Sequence, residues 1–498
     1  MPVALRIHPD DTVAVALADL QVGQAVCGVT VHERISQGHK FALRAIVAGD
    51  VVMKFGFPIG RATRDIVAGE HVHTHNLASD LATNVGSSTF TRSATPMSSP
   101  SPPPRTFDGF RRADGRVGVR NEVWIINTVA CVNQASEQIA RACNDRYCGY
   151  KTVDGVYAFP HPFGCSQLGD DLLHTQKVLA GMIRHPNAAA VLILGLGCEN
   201  NQMKLLLEQV GAVDADRVKY FNAQEVSDEI ESGINIVAGL VEWACQFKRE
   251  PVSVAELTLG MKCGGSDGLS GITANPLVGR VADRLCAGGG TALLTEVPEM
   301  FGAEQMLLSR CASQATFDAT LAMVNGFRDY FRRYNQQIDE NPSPGNRDGG
   351  ITTLAEKSLG CVQKGGTASI VEVLPYGTAA RPGLGGVALV HAPGNDGVSS
   401  TALTVAGAQM LLFTTGRGTP LGLPVPTIKI ASNTALRDRK PTWIDFDAGR
   451  LTAEGASADE LADELMDLCL DVASGRRETR NEMNGNREIA IWKDGVTL

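Results

Sequence analysis

Eight stretches of this 498-residue chain carry reactive side chains at spacings that chemistry can use. In RADGRVGVRN (112–121), Arg112, Arg116 and Arg120 surround Asp114 and two glycines. Guanidinium forks bind carboxylates through paired hydrogen bonds, so the segment reads as an anion clamp or, more blandly, a solvated loop. FPHPFGCSQ (159–167) sets His161 four residues before Cys165. That spacing can bring a nitrogen and a sulfur to one metal, although such a pair is more often structural. MKCGGSDGLSGITANP (261–276) gathers Lys262, Cys263, Ser266, Asp267, Ser270, Thr273 and Asn275 among glycines. It reads as a loop whose amides and side chains hold a polyol or an anion. HVHTHN (71–76) places His71, His73 and His75 on one face of an extended chain, which suits metal binding or a hydrogen-bonded surface strand. EKSLGCVQKGG (356–366) carries Glu356, Lys357, Cys361 and Lys364. TTGRGTP (414–420) and PTIKIASN (426–433) add Arg417, Lys429, Ser432 and Asn433, with Arg417 again shaped like a carboxylate binder. GLGCEN (195–200) begins like a dinucleotide fingerprint but has Asn200 in place of the third glycine, and no Walker pattern occurs.

These residues need a scaffold, and the hydrophobic pattern predicts an α/β one. Short apolar runs recur at 123–132, 188–197, 291–297, 386–393 and 409–416. Fully apolar runs of that length suit buried, largely parallel strands. Ligands of open α/β sheets bind at the carboxyl ends of strands. Here those ends carry Thr128 and Cys131, Gly197 to Asn201 with Cys198 and Glu199, Glu296, His391, and Thr414 to Thr419. Ahead of this region, residues 1–78 read as a small β-rich module. The phrase ALRAIVAGDVV (42–52) echoes ATRDIVAGEHV (62–72), which fits two related hairpins in one barrel. A Ser/Thr/Pro-rich linker follows at 79–106. The expected domains are therefore 1–78, the linker 79–106, a first α/β half at 107–248 and a second at 249–498, with the break near QFKREPVSVAE (246–256). Near the end, Ser457 and Glu460 form a capping box ahead of an apolar stripe at Leu461, Leu465, Leu468 and Val472, with Gly475 as the stop.

Composition narrows the class. The apolar fraction is 44% and the charged fraction 20%, which is globular. With 53 glycines and 5% aromatics, an enzyme with backbone-lined loops fits better than a coiled coil or a β-sandwich. The net charge of −9 leaves no basic footprint for nucleic acid. Met1 to Asp10 has no signal-peptide pattern, and no apolar run reaches the length of a membrane span. A soluble cytoplasmic protein is expected, with no nucleic-acid or membrane partner. The twelve cysteines, without a Cys-x-x-Cys pair, are then neither a disulfide framework nor a zinc ribbon.

Taken together, the ordered segments KFGFPIGRATRDIVAGEHVHTHNLA (54–78), GFRRADGRVGVRN, GLGCENNQ, KCGGSDGLSGITANP, TEVPEMFGAE, EKSLG and TTGRGTP resemble the altronate dehydratase / galactarate dehydratase family of sugar-acid lyases over nearly the whole chain. The ending REIAIWKDGVTL (487–498) looks more like the altronate branch. The first 78 residues look like the SAF-type β module of that family. The resemblance implies dehydration of a sugar acid to a 2-keto-3-deoxy acid, D-altronate to 2-keto-3-deoxy-D-gluconate above all. Galactarate or another hydroxy acid is the alternative substrate. A non-catalytic sugar-acid binding protein is the alternative of another class, which the intact Cys198, Cys263 and Arg417 argue against. The resemblance further implies Fe(II), with Mn(II) able to substitute, or else a 4Fe–4S cluster, in a homo-oligomer. On this reading Cys131, His161, Cys165, Cys198 and Cys263 are candidate iron ligands. Glu199 and Glu296 are candidate carboxylate ligands or proton shuttles. Lys262 or Lys364 is the base, given a pKa lowered by burial or a metal. Arg112, Arg120 and Arg417 meet the substrate carboxylate, and Thr273, Asn275 and Asn433 its hydroxyls. His73 or His75 reaches the substrate from a lid formed by the N-terminal module. Cys27, Cys143, Cys148, Cys245, Cys286, Cys311 and Cys469 are read as structural.

Overall fold

A computed structural model describes residues 2–81, 90, 105–147 and 152–498. Most of the expected linker, and Cys148, lie outside them.

The N-terminal module is built from short antiparallel strands in a four-stranded sheet, a three-stranded sheet and a hairpin. Its sequence echo has a structural counterpart. Ile46 and Ile66, at equivalent places in the two related phrases, exchange both backbone hydrogen bonds, at 2.9 and 2.8 Å. Two similar arms thus bury their branched side chains against each other.

The first α/β unit holds four parallel strands in the order Gly155–Phe159, Glu122–Asn127, Ala188–Gly195 and Val218–Asn222. Ala188–Gly195 is buried along its whole length, as its apolar run predicts. Side chains alternate between faces. Val123 and Ile125 pack with helices Asn133–Tyr147 and Glu229–Ala244, while Trp124 and Ile126 join the core shared with helix Gly169–Arg184. The segment 246–256 is less of a break than its polarity suggests. It contains the strand Arg249–Ser253, which pairs antiparallel with Thr106–Arg111.

The second unit is a seven-stranded parallel sheet in the order Ile370–Leu374, Gly386–Val390, Thr291–Leu294, Thr258–Cys263, Met410–Thr415, Thr427–Ala431 and Phe446–Asp447. The first strand in sequence, Thr258–Cys263, lies at the centre, and later strands add to either side. Such a reversal of strand order opens a crevice at the carboxyl edge. Helix Asp396–Val405 packs on the central strand and on Gly169–Arg184 of the first unit. A Cβ at Gly181 would meet Val405 Cγ1 at 2.3 Å, so the glycine permits that close approach. The helix expected after Ser457 runs Ala458–Ala473, with the Ser457 hydroxyl accepting from the Glu460 amide. The C-terminal tail ties both units: Trp492 packs among His174, Phe327, Tyr376 and His391, and the Leu498 amide donates to Ser166 O at 3.0 Å. His391 therefore sits in an aromatic nest rather than at an open strand end. Among the described residues, no helix is long and apolar enough to cross a membrane.

The module docks on loops 267–271 and 347–356 of the second unit through backbone-to-backbone contact. A Cβ at Gly268 would lie 1.9 Å from Gly38 O. Gly268→Ala is expected to weaken this docking by about 1–3 kcal/mol, the usual cost of overpacking. Hydrogen exchange at residues 38–43 then rises roughly tenfold or more, with exchange in strand 188–195 unchanged.

Candidate active site

The crevice of the seven-stranded sheet is lined by ionisable side chains from four elements. Lys262 and Cys263 end the central strand, which is wholly buried. Glu296 follows the neighbouring strand in a left-handed backbone conformation, φ 71°. A non-glycine residue adopts this at a cost of about 1–3 kcal/mol, and such strain gathers at functional sites. Glu299 lies one short helical turn further on, in Val297–Met300. Helix Leu354–Cys361 and the turn after it supply Lys357, Cys361 and Lys364.

These side chains form one connected array. Lys262 Nζ donates to Glu296, to Cys263 O at 2.6 Å and to Asp396 Oδ1 at 2.7 Å. Lys364 Nζ meets Cys263 Sγ at 2.8 Å and Glu296 Oε2 at 3.0 Å. The sulfurs of Cys263 and Cys361 are 3.3 Å apart, and the Cys361 thiol donates to Glu299 Oε2 at 3.1 Å. Lys357 Nζ completes the set on Glu299 Oε1 at 2.7 Å.

The charge states follow from this packing. Burial alone would push the Lys262 ammonium down, but Glu296 and Asp396 outweigh it and hold Lys262 above the usual lysine range. Lys364 is likewise held up against its burial by Cys263 and Glu296. Burial would raise Glu299, yet Lys357, Lys262 and Lys364 bring it down to about 2. The bond to Cys263, together with burial, pushes the Cys361 thiol up. Three ammonium groups thus face three carboxylates, and both resting lysines are proton donors. The lowered lysine pKa that a resting base requires is the opposite of what this packing produces.

Cys263, Glu299 and Cys361 offer ligand atoms within 4.8 Å of one another, all buried. Two sulfurs and a carboxylate oxygen suit a borderline divalent ion such as Fe(II). Two thiolates would cancel its charge and leave the three ion pairs balanced, so the residues fit such an ion.

Of the residues singled out in the sequence, Lys262, Cys263, Glu296 and Lys364 are brought together here. Others from the same motifs hold the surrounding loops. The Thr273 hydroxyl donates to Ser432 O at 2.7 Å and lies 3.0 Å from Leu269 O. Asn275 links Gly360 O with the Thr414 hydroxyl. Asn433 caps the helix Thr434–Arg439 and bonds Asp267, itself a buried hub for Ser270 and Ser432. Arg417 is exposed at the carboxyl end of Met410–Thr415, with its amide on Gly265 O.

The structure does not bring Arg112 and Arg120 to this crevice. Arg112 is spent on Pro186 O, Asn121 and Arg120 O, and Arg120 on Glu482, Val119 O and Val472 O. Nor does it gather the thiols into one set. Cys131, Cys165 and Cys198 belong to the four-stranded unit. Neither ring nitrogen of His161 is free, since Nε2 pairs with Asn127 O and Nδ1 accepts from the Phe163 amide. The Glu199 carboxylate closes its own turn onto the amides of Leu196 and Gly197 and the Thr128 hydroxyl. Cys143, Cys286, Cys311 and Cys469 are buried, Cys245 is half-buried and Cys27 is exposed.

The N-terminal module adds residues that no local motif announces. Lys40 and Lys54 each place Nζ 2.8 Å from the buried Glu356. Burial lowers Lys40 to about 8, while Glu356, despite its burial, is drawn down to about 2 by the two lysines. His39, His71 and His73 cluster beside them with ring centroids 5.1–5.4 Å apart, and the His75 ring lies tilted beyond His71. His73 Nε2 reaches Arg347 O at 2.9 Å. Between the module and the sheet lies a narrow cavity of about 10 Å³, bordered by Lys54, Phe55, Asp267, Lys357 and Cys361. That is room for about one water.

Three family descriptions match consecutive parts of the chain. The Altronate/galactarate dehydratase SAF domain covers residues 2–80. The second domain of D-galactarate dehydratase/Altronate hydrolase covers 109–245, and the C-terminal part of D-galactarate/Altronate dehydratase covers 254–497. An altronate dehydratase of Escherichia coli is 49% identical over 99% of both chains. One of Bacillus subtilis is 46% identical over the same shares. A galactarate dehydratase (L-threo-forming) of Escherichia coli is 32% identical over 98% of this chain and 96% of its own.

Two outcomes are expected from the junction. Glu356→Gln leaves two buried ammonium groups without a counter-charge and should cost about 3–5 kcal/mol in urea denaturation, part of it restored by adding Lys40→Met. The second concerns pH. Burial lowers His71 to about 3 and His73 to about 4, with neighbouring histidines and Lys40 adding to it. The unfolded chain therefore binds more protons than the folded one between pH about 4 and the ordinary histidine value near 6.5. Stability is full above that value and falls as pH drops through the window. His71→Gln should flatten the fall between pH 7.5 and 5.0 in the same assay.

Proposed function

The chain belongs to the D-galactarate/altronate dehydratase family, and on that premise we propose that it is the hydro-lyase that removes water from D-altronate to give 2-keto-3-deoxy-D-gluconate. Relatives named altronate dehydratase, matched along 99% of both chains, support the substrate. The observation that carries the chemistry is the buried array of Lys262, Glu296, Lys364 and Cys263 at the reversal of strand order.

The C2 proton of an aldonate is weakly acidic, and its removal places negative charge on the adjoining carboxylate. Two fixed ammonium groups in a water-poor crevice stabilise that charge far better than solvent does. We assign this role to Lys262 and Lys364. Glu296, presented between them by a strained backbone, takes the C2 proton. Lys364, already protonated, then donates to the departing C3 hydroxyl, a general-acid contribution of about 10²–10⁴-fold. Arg417, exposed beside the Gly265 turn, is left to meet the far end of the sugar acid. Cys263, Glu299 and Cys361 would hold the divalent ion, Fe(II) or Mn(II), which when bound supplies Lewis-acid stabilisation of the same developing charge. The N-terminal module acts as the lid, and His73, held on Arg347 O, stays outside the array. Eleven described cysteines, all free, fit a reducing cytoplasm.

The test is an anaerobic assay of the Fe(II)-loaded chain on D-altronate and galactarate side by side, following 2-keto-3-deoxy acid. Turnover of altronate at least tenfold above galactarate is expected. The reverse preference makes this a galactarate dehydratase, and binding of either acid without turnover makes it a sugar-acid binding protein. Glu296→Gln should lower kcat by about 10²–10⁴ and suppress exchange of the C2 proton with solvent deuterium. Exchange at the wild-type rate would remove Glu296 from the base role.

A further inference from the structure

Three cysteines outside the buried array share one edge of the other sheet. Cys131, Cys165 and Cys198 are all exposed and free. Each lies in the connection that follows a strand of the four-stranded unit: Cys131 after Glu122–Asn127, Cys165 after Gly155–Phe159 and Cys198 after Ala188–Gly195. These three strands are parallel neighbours, with the first in sequence between the other two. The connections therefore leave the same edge at a reversal of strand order, where open α/β sheets form their crevice.

The three connections are fastened to one another. The Ala130 amide donates to Phe163 O and the Asn201 amide to Gly164 O, both at 2.9 Å. Asn201 Nδ2 donates to Thr128 O at 2.9 Å, and the Ser166 amide to Asn200 Oδ1 at 2.7 Å. Gly164 has φ 104°, and a Cβ there would lie 2.1 Å from Thr128 O. Only glycine lets the Cys165 segment press so closely on the segment leading to Cys131. The buried Glu199 carboxylate locks the turn that carries Cys198. Free cysteine is among the most buried residue types. Three exposed ones on interlocked turns are the reverse of that habit, and they form a preorganised set of soft ligands.

Their spacing selects the occupant. A tetrahedral ion with metal–sulfur bonds of about 2.3 Å needs its sulfurs roughly 3.8 Å apart. Among the described residues, the groups with ligand atoms within 4.8 Å of one another are Cys263–Glu299–Cys361 and Glu33–Glu70–His75, and these three cysteines are not among them. One ion cannot reach all three, whereas an iron–sulfur cluster, with inorganic sulfide between its irons, spans a wider triangle. Gln224 Nε2 lies 3.5 Å from Cys198 Sγ and Ser166 Oγ 3.9 Å from Cys165 Sγ, contacts of the kind that tune such clusters. We propose that Cys131, Cys165 and Cys198 hold a [4Fe–4S] cluster, separate from the buried array, whose fourth iron has no protein thiolate and is open to a carboxylate or hydroxyl ligand. The site does not depend on altronate being the substrate.

The test uses the full chain, reconstituted anaerobically with Fe(II) plus inorganic sulfide and, in parallel, with Fe(II) alone. After desalting, iron, acid-labile sulfide and the sulfur-to-iron absorption are measured. The sulfide arm should retain about four irons and four sulfides per chain as a cluster. Cys131→Ser, Cys165→Ser and Cys198→Ser, each checked for unchanged circular dichroism, should each lose at least nine-tenths of the sulfide and the absorption, while Cys361→Ser keeps both. Alkylation of the loaded protein should spare these three thiols and still modify the exposed Cys27. Folded wild type that binds no sulfide overturns the proposal, as does a cluster that survives all three substitutions or is lost with Cys361→Ser. None of these readouts needs turnover, so failure here is distinguishable from failure of the altronate assignment.

Discussion

Lys262, Lys357 and Lys364 lie out of water at the carboxyl edge of the large sheet. Removing an ion from water costs several kcal/mol unless a counter-charge and hydrogen bonds accompany it. That constraint shapes the whole crevice. Three carboxylates have to be delivered from three different places in the chain: Glu296 by a left-handed residue after one strand, Glu299 by the short helix behind it, and Asp396 by the start of a helix that also joins the two α/β units. The strain at Glu296 is tolerable because an outward-turned carboxylate would leave Lys364 buried without a carboxylate partner and Lys262 with Asp396 alone, a larger penalty than about 1–3 kcal/mol of backbone energy. The array is balanced when its two thiols are neutral, and balanced again when both are thiolates beside a divalent ion. It can therefore accept an ion without rebuilding its surroundings.

The junction with the N-terminal module repeats the same physics with a different result. Lys40 and Lys54 come from the module and Glu356 from the sheet unit, so their pairing exists only while the two are docked. Undocking exposes all three charges to water at once, which recovers much of what separation loses. Backbone contacts through Gly38, Gly268 and Gly349, which have no side chain to rearrange, define the closed position. The joint is apolar as well: Val52, Ile59 and Leu77 of the module belong to the same hydrophobic core as the large sheet, and Val15 and Leu17 pack with Leu269.

How much of this was legible in the sequence differs by level. Five strands of the two α/β units were, because a strand buried on both faces is apolar throughout, and 188–197 is such a run; the central strand Thr258–Cys263, which mixes Thr, Gly, Lys and Cys with its apolar residues, was not. The module's echo was legible, and its halves turn out to bond each other through Ile46 and Ile66. The reactive loops were visible as polar density among glycines, but density does not say what a side chain faces. Thr273, Asn275 and Asn433 sit in the right loops and are bonded into them. Arg112 and Arg120 have the shape of an anion clamp and instead satisfy main-chain carbonyls, a use that leaves no mark in local sequence. The lysines were expected to be depressed by burial, and their carboxylate partners reverse the sign. Glu299 and Cys361 stand within recognised motifs, yet their partnership with Cys263 spans 36 and 98 positions. The partner of Lys40 is 316 positions away. Pairings that long are set by topology, which no short window contains.

The same limit explains why the thiols looked like one dispersed set. Read along the chain, Cys131, Cys165, Cys198 and Cys263 are four candidates of equal standing. Folded, they divide by environment. Cys263 meets Cys361 in a dry crevice among ammonium groups, where a thiolate is stabilised only if a cation replaces water and where the sulfurs, 3.3 Å apart, admit one ion. The other three stand at a solvent edge, on turns stiffened by Gly164, Asn201 and Glu199, too widely spaced for one ion. Both sites occupy the carboxyl edge of a parallel sheet at a reversal of strand order, so the chain presents the same architectural opportunity twice. Burial makes the first a place where charge is controlled. Exposure makes the second a place that an assembled inorganic group can enter.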